Sequence, residues 1–290
     1  MLLVSGLFGF GGGEPLKPTK LAESILGEAI AKGLIEGGEK RRLAAAELVA
    51  NLDRLRVKDL IECLRSQFIE SPFAEFRRAG ITGIGAIGFG FLESSGSSGL
   101  SAQDSVTLTD LSRLLLAATN DDEPKVRFVA AESLFNFLKG MHRLRRVPEL
   151  LQSAVEPFQS IFSSVFEATC KLSADVDGEV IQAAELLNGV LQDLVCAFLI
   201  FVKPEQLGLI QAVSYSVEER IRQPDMRIRL VGFRWCCFLA NLNQKDLFPA
   251  SMKLIDCIER EAGGPEASPD LSREAGACIA FMRRCIDSQP

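Results

Sequence analysis

The feature that most constrains this chain is an internal repeat. Five segments share one layout, in which a short polar turn leads into a helix that opens with charged side chains and continues with small and then large apolar residues. Each segment is centred on a small residue, at Ala45, Gly80, Ala130, Ala183 and Gly232, and these lie 35, 50, 53 and 49 residues apart. Spacings of this size bracket the roughly 40–47 residues of a HEAT or armadillo unit. The repeat therefore predicts a stack of similar units rather than one globular core.

Apolar residues within the repeats recur at helical spacing. Val126, Ala130, Leu134 and Phe137 are separated by four, four and three residues, and the segment 228–242 shows the same stepping. This spacing places the apolar side chains in one stripe along a helix, whereas a half-buried strand would alternate with a period of two. We therefore predict an all-α fold, a right-handed HEAT/armadillo-type solenoid of helical hairpins with about five to six repeats.

The repeats divide the chain into a short start and one long array. Residues 1–19 begin with an apolar, glycine-rich stretch and are predicted to be flexible. Residues 20–290 are predicted to form a single HEAT array, because one hairpin cannot bury both of its faces without neighbours. Its inner helices are expected near residues 39–55, 74–92, 124–139, 178–198, 225–242 and 269–286.

Charge and cysteine usage narrow the functional classes. The 32 basic and 38 acidic residues give a formal net charge of -6, which argues against wholesale nucleic-acid binding. The eight cysteines are spread through the chain without a C-x-x-C pair, which favours free thiols in a reducing cytosol over disulfides or a metal site. The longest apolar stretches are shorter than the roughly 20 residues of a bilayer span, so no transmembrane helix is predicted.

No motif indicates catalysis, a cofactor or a metal. Residues 83–88 match G-x-G-x-x-G, but a dinucleotide site needs a preceding strand, and a charged helix start at residues 76–78 stands there instead. His142 is the one histidine and has no nearby cysteine with which to form a metal site or a catalytic pair. Close helix packing is the preferred explanation of the glycines, and we predict that the chain is not an enzyme.

Four of the repeats resemble one protein family in both order and spacing. The residues that carry the resemblance lie at 40–48, 77–85, 121–136 and 171–195, and the third set includes V-R-F-V-A-A-E-S-L-F-N from Val126. Together they resemble the N-terminal HEAT array of the Vac-fourteen family of vacuole-morphology scaffolds. The resemblance extends over residues 35–260, and members of that family are much longer than this chain.

The resemblance implies a non-catalytic scaffold or adaptor. It implies two partners, a PIKfyve-type lipid kinase and an opposing Sac-domain lipid phosphatase, which control phosphatidylinositol 3,5-bisphosphate on endosomes and vacuoles. It also implies a cytoplasmic protein, peripheral on those membranes, and it associates self-assembly and the phosphatase contact with the C-terminal half of the family. The repeats alone leave an alternative open, a generic HEAT adaptor that binds a transport receptor or a phosphatase and has no preference for the lipid kinase.

The first candidate contact surface is a basic cluster after the third inner helix. Arg143, Arg145 and Arg146 follow His142 directly. One interpretation is structural, because cations at a helix C-terminus complement its dipole. The functional hypothesis is that the cluster binds an anionic lipid or an acidic segment of a partner.

The second candidate surface lies in the fourth inner helix. Glu185, Leu186 and Leu187 could contact a partner along the inner surface of the array. The structural alternative is that both leucines belong to the core of the repeat. Trp235, in the next inner helix, lies on an apolar stripe and is predicted to be a core residue.

Arginines and aspartates recur at corresponding positions of the repeats. Arg77, Arg127 and Arg229 open successive inner helices, and Asp121 and Asp175 lie in the turns between helices. We predict that the arginines are structural and pair either with an aspartate between helices or with backbone carbonyl groups of a neighbouring turn.

Overall fold

A computed structural model describes residues 16–94, 100–201, 206–242, 247–262 and 268–288 of the protein. Helices follow one another through these ranges, and no strand occurs within them, which confirms the predicted all-α fold of stacked helical repeats. Of the start that was predicted to be flexible, residues 1–15 lie outside the described ranges. Residues 16–19 lead into the first helix, whose N-terminus is capped by the Thr19 hydroxyl group.

The helices are numbered in chain order. They are Lys20–Leu26 (α1), Glu28–Ile35 (α2), Glu39–Ala50 (α3), Val57–Leu64 (α4), Ala74–Glu93 (α5), Ala102–Ala118 (α6), Pro124–Arg143 (α7), Pro148–Ser153 (α8), Val155–Ser173 (α9), Gly178–Phe201 (α10), Gln206–Ile221 (α11), Met226–Asn241 (α12), Phe248–Ala262 (α13) and Pro269–Asp287 (α14). A π-helical turn, Arg65–Ile69, follows α4, and 3₁₀ turns lie at Arg54–Arg56 and Leu144–Arg146.

The helices pack in two layers. In the inner layer, α3 packs on α5, α5 along α7 and α7 along α10, while further on α12 packs on α14. In the outer layer, α6 packs on α9, α9 on α11 and α11 on α13. The two layers meet within each repeat, where α7 rests on α6, α10 on α9 and α12 on α11. Buried apolar side chains fill the space between the layers as one continuous core.

The third inner helix shows how the repeat sequence produces this packing. Pro124 lies in the first turn of α7, where the missing amide hydrogen would have had no helical partner. The predicted stripe of Val126, Ala130, Leu134 and Phe137 is fully buried, which confirms it. Each large side chain in such a stripe contributes about 1.5–3 kcal/mol through removal from water. The stripe therefore holds the inner helix against the outer layer.

Glycines in α5 allow an unusually close approach of α7. A Cβ atom on Gly85 would lie 2.7 Å from the Cβ of Ser133, and one on Gly88 would lie 2.7 Å from the ring of Phe137. Both neighbours are in α7, so larger residues would force the two inner helices apart. The glycine motif at residues 83–88 lies in the middle of a helix and not in a loop after a strand. Helix packing accounts for it.

The fifth inner helix is attached mainly through an outer helix. Trp235 of α12 is fully buried, as predicted, and its ring centroid lies 4.9 Å from that of Phe166 and 6.0 Å from that of Phe162, both in α9. The indole Nε1 donates a 2.6 Å hydrogen bond to Oδ1 of Asn188 in α10. Because α12 packs on α9, α11, α13 and α14 rather than along α10, this junction differs from those before it.

One helix meets the length and composition of a membrane span, although the sequence predicted none. It covers Gly178–Ile200 within α10, and 56% of its apolar window is buried inside the protein. Val180, Ala184, Leu187 and Leu191 are fully buried in the repeat core. Because core helices of soluble proteins satisfy the same criteria, this is weak evidence for a span.

Candidate functional site

Two arginine–aspartate pairs connect successive repeats. Arg77 donates through Nε and Nη2 to the carboxylate of Asp121, at 2.7 and 2.8 Å. Arg127 donates in the same way to Asp175, at 2.7 and 2.9 Å. Two parallel, charge-assisted hydrogen bonds fix the orientation of both side chains as well as their separation. We call these two pairs the rungs.

The arginines of the rungs also bind backbone carbonyl groups of the turn before their own helix. Arg77 Nη1 donates to the carbonyl of Pro72 at 2.9 Å, and Arg127 Nη1 donates to the carbonyl of Asp121 at 2.8 Å. At the corresponding position of α12, Arg229 Nε donates to the carbonyl of Gln223. Each of the three arginines therefore satisfies a turn, and the first two also reach the next repeat.

The aspartates of the rungs have a second role in shaping their turns. Asp175 Oδ1 accepts a 3.0 Å hydrogen bond from the amide of Asp177, and Asp121 Oδ1 accepts one of 2.9 Å from the amide of Glu123. The hydrogen bonds from Arg127 lower the pKa of Asp175 despite its partial burial. Burial acts to raise the pKa of Asp121, but the hydrogen bonds to its carboxylate outweigh burial and lower it. Both carboxylates are therefore held in the charged form.

The series of rungs ends at α10. Arg127 lies six residues after Asp121, and the residue six after Asp175 is Ile181, which cannot donate a hydrogen bond from its side chain. In the next turn, Gln223 stands at the position of the aspartate. The junction between α10 and α12 consequently has no rung.

A groove of about 530 Å³ lies between α7 and α10 and brings the two predicted contact surfaces together. One wall is formed by the C-terminal part of α7 and the 3₁₀ turn Leu144–Arg146 that follows it. The other wall is formed by the exposed face of α10. We call this feature the α7–α10 groove, and it is the candidate functional site.

The wall on the α7 side is basic. It carries Lys139, Arg145 and Arg146, with His142 among them. Arg145 Nη1 lies 2.9 Å from His142 Nε2. Burial and the neighbouring charge of Arg145 lower the pKa of His142, which favours a neutral ring that accepts this hydrogen bond. The imidazole thus holds the guanidinium of Arg145 in place while that side chain stays exposed.

The third predicted arginine is already engaged by a neighbouring helix. Arg143 forms an ion pair with Glu93 of α5, and its guanidinium lies 4.8 Å from the ring centroid of Phe89. It lines the α7–α10 groove but contributes little free charge to it. Arg145 and Arg146 are therefore the arginines available to a partner.

The wall on the α10 side is acidic with an apolar centre. Glu185, Leu186, Gly189 and Asp193 are separated by one, three and four residues, so they share one face of the helix. Leu186 is 53% exposed, a large value for a leucine in the middle of a helix. Among the residues that the structure describes, no ion pair connects Glu185 or Asp193 to the basic wall.

The prediction that Leu187 contacts a partner is wrong. Its side chain is fully buried in the repeat core. Adjacent residues of a helix are rotated by roughly 100° from each other, so Leu186 and Leu187 cannot both face the groove. Of the two interpretations of these leucines, the partner surface remains for Leu186 and the core holds for Leu187.

Two residues of the groove were not singled out from the sequence. Gly189 and Asp193 follow Glu185 by four and eight residues, which places them on the same helix face. That spacing is readable in the sequence, but it has meaning only when the face is known to be exposed. Within the described ranges, no group of three or more histidine, cysteine or acidic side chains could hold a metal ion. The geometry of the groove suits recognition of a partner segment through charge and shape.

Comparisons with known proteins agree on one family. The model of the Vacuolar 14 Fab1-binding region matches residues 76–193. The Protein VAC14 homolog of Arabidopsis thaliana is 32% identical over 260 residues, which are 87% of this chain and 31% of that protein. Vacuole morphology and inheritance protein 14 of Saccharomyces cerevisiae is 28% identical over 209 residues, 64% of this chain and 20% of that protein. The chain spans less than a third of the length of these relatives.

Solved structures with a similar arrangement are helical-repeat proteins. A chain in the structure of Kap95p with RanGDP has a TM-score of 0.48 and 14% identity, covering 94% of this chain and 32% of that one. The archaeal HEAT-like repeats protein of Thermococcus onnurineus has a TM-score of 0.30 and 13% identity, covering 94% and 100%. At these values the likeness concerns repeat architecture and carries no argument about function.

Proposed function

Because this chain is a Vac14-type protein, we propose that it is a non-catalytic scaffold that binds a Fab1-type lipid kinase, the PIKfyve class that the family resemblance implies. The observation that carries the proposal is an overlap. The match to the Fab1-binding region covers residues 76–193, which include most of α5, all of α7 and most of α10. Both rungs and both walls of the α7–α10 groove fall in this range.

The mechanism of such a scaffold is positioning. The rungs fix each turn relative to the next, so the inner surface keeps its shape before a partner arrives. A surface that is ordered in advance lowers the entropic cost of association. The kinase would then provide the chemistry and this chain the platform.

The family resemblance also supports two further parts of the proposal. The first is assembly with a Sac-domain phosphatase, and the second is a peripheral location on endosomal or vacuolar membranes. Self-association belongs with the same group of proposals. None of them requires a catalytic or cofactor-binding residue in this chain.

The test is direct binding between the purified chain and a purified Fab1-type kinase, followed by hydrogen exchange to locate the contact. A stable complex with slowed exchange in residues 76–193 is the expected result. An unrelated HEAT-repeat protein serves as the control, because a generic adaptor would show no preference for the kinase. Equal or absent binding by both proteins would refute the proposal and leave the generic adaptor as the better hypothesis.

A further inference from the structure

We propose that the α7–α10 groove binds a protein segment that places a bulky apolar side chain over Gly189, an acidic side chain against Arg145 and Arg146, and a basic side chain against Glu185 and Asp193. The inference rests on the proposed function and adds to it the chemistry of the partner. It is carried by three features of the groove, namely a missing side chain, two walls of opposite charge, and arginines that are held in place.

The missing side chain is that of Gly189. A glycine in a helix interior costs about 0.5–1 kcal/mol relative to alanine, so it usually has a packing reason. In α5, α7 and α12, every glycine has one, since an added Cβ would meet a neighbouring atom within about 2.7–3.1 Å. At Gly189 an added Cβ would meet nothing within 4 Å. The space above it is therefore open in the groove, bordered by the exposed Leu186.

The two walls of the groove carry opposite charges that do not neutralise each other. Arg145 and Arg146 are exposed on one side, and Glu185 and Asp193 are exposed on the other. Asp193 is near enough to act on the pKa of His142, so the walls face each other. A segment inserted between them can pair with both walls at once, which fixes its direction and register.

This charge pattern separates a protein segment from a membrane. A planar anionic surface would be attracted by Arg145 and Arg146 but repelled by Glu185 and Asp193. It would also leave Gly189 and Leu186 without a specific contact. A segment with side chains of both signs and an apolar residue between them fits all the features, whereas a lipid surface fits one.

The basic wall is ordered before binding. His142 accepts a hydrogen bond from Arg145, and Arg143 is fixed on α5 by Glu93 and the ring of Phe89. Side chains that are already restrained lose less entropy when a partner arrives. The wall is thus suited to select a partner rather than to adapt to many.

The experiment measures binding of the full chain to a purified Fab1-type kinase and, separately, to vesicles of phosphatidylcholine with phosphatidylserine. Gly189→Trp should weaken kinase binding by about tenfold or more, because the indole would occupy the open space. The matched control Gly189→Ala should bind as the wild type does. Both replacements favour the helix over glycine, and thermal unfolding checks that each variant is folded.

Charge reversal on each wall gives an independent result. Arg146→Glu and Asp193→Lys should each weaken kinase binding, because the segment uses both walls. If the ligand were instead an anionic surface or a purely acidic segment, Asp193→Lys would strengthen binding to the vesicles or to the kinase, and that result would overturn the inference. Loss of both effects together with unchanged binding by Gly189→Trp would also overturn it, while kinase binding by the wild type would preserve the proposed function. A wild-type chain that binds no kinase would refute both.

Discussion

The junction between α7 and α10 and the junction between α10 and α12 join similar repeats by different means. At the first, α7 packs along α10, and the Arg127–Asp175 rung connects the turns. At the second, Ile181 and Gln223 replace the arginine and the aspartate, and the attachment passes through Trp235 and the phenylalanines of α9. A cleft of about 200 Å³ lies there between α10 and α12.

The difference separates two properties that repeat proteins need. A buried aromatic cluster contributes most of the free energy but imposes little direction on the contact. A bidentate rung contributes less free energy but fixes orientation. The first junction has both kinds of contact and supports a groove with fixed walls, whereas the second relies on the apolar contact.

The largest expected effect is the loss of the aromatic contact at the second junction. Trp235→Ala should lower the free energy of unfolding by about 3–5 kcal/mol, because it leaves a large cavity and removes the hydrogen bond to Asn188. Urea unfolding followed by circular dichroism measures the change. Tyr215→Ala, at an exposed position, is the control and should change stability by less than about 0.5 kcal/mol. Similar effects of the two variants would show that α12 does not depend on this cluster.

Removal of a rung should have an intermediate effect. Asp175→Ala should lower the free energy of unfolding by about 2 kcal/mol, since two charge-assisted hydrogen bonds to Arg127 and the bond to the Asp177 amide disappear. The matched control is Asp225→Ala, which removes a helix cap without an inter-repeat contact and should cost about 1 kcal/mol. Equal losses in urea unfolding would mean that the rung adds nothing beyond the turn.

Acid should weaken the junctions that have rungs. The pKa values of Asp121 and Asp175 are lowered in the folded protein, so the unfolded chain binds protons first as the pH falls. Their contribution is complete above the unfolded pKa of about 4 and is lost as the pH falls through the lower folded values. Urea midpoints measured at decreasing pH should therefore decline less steeply for Asp175→Asn than for the wild type. Parallel curves for the two proteins would contradict this assignment.

The smallest effect comes from building a rung where none exists. Ile181→Arg combined with Gln223→Asp should raise the free energy of unfolding by about 0.5–1 kcal/mol, the usual range for a pair that is partly exposed. Each single variant lacks a partner and serves as a control in a double-mutant cycle. A coupling energy of zero would show that the turns at this junction are too far apart for a rung.

Much of the fold was predictable because it follows from local patterns. The stripe from Val126 to Phe137 and the burial of Trp235 depend on helical periodicity, which a single sequence displays. The positions of Arg77 and Arg127 were also visible as a repeat, although their partners Asp121 and Asp175 lie 44 and 48 residues away. Within residues 20–290, the division into one array remains a prediction.

The groove was less predictable because it depends on how two helices lie beside each other. The basic residues around Arg145 and the acidic face around Glu185 were each noticed, but nothing in the sequence fixes their distance across the gap. The error at Leu187 has a local cause, since two adjacent leucines leave the rotation of the helix ambiguous by one residue. The open space at Gly189 is a property of the surroundings of that residue and not of the residue itself.

The double use of Asp121 links its neighbours into a relay. Its carboxylate receives Arg77 from the repeat before, and its own backbone carbonyl receives Arg127, whose other hydrogen bonds go on to Asp175. No turn in this stretch can open alone, because opening it would strip a charged group from the turn on either side. In the language of one-dimensional arrays, the relay strengthens nearest-neighbour coupling, so these repeats should melt as one cooperative block and not fray unit by unit.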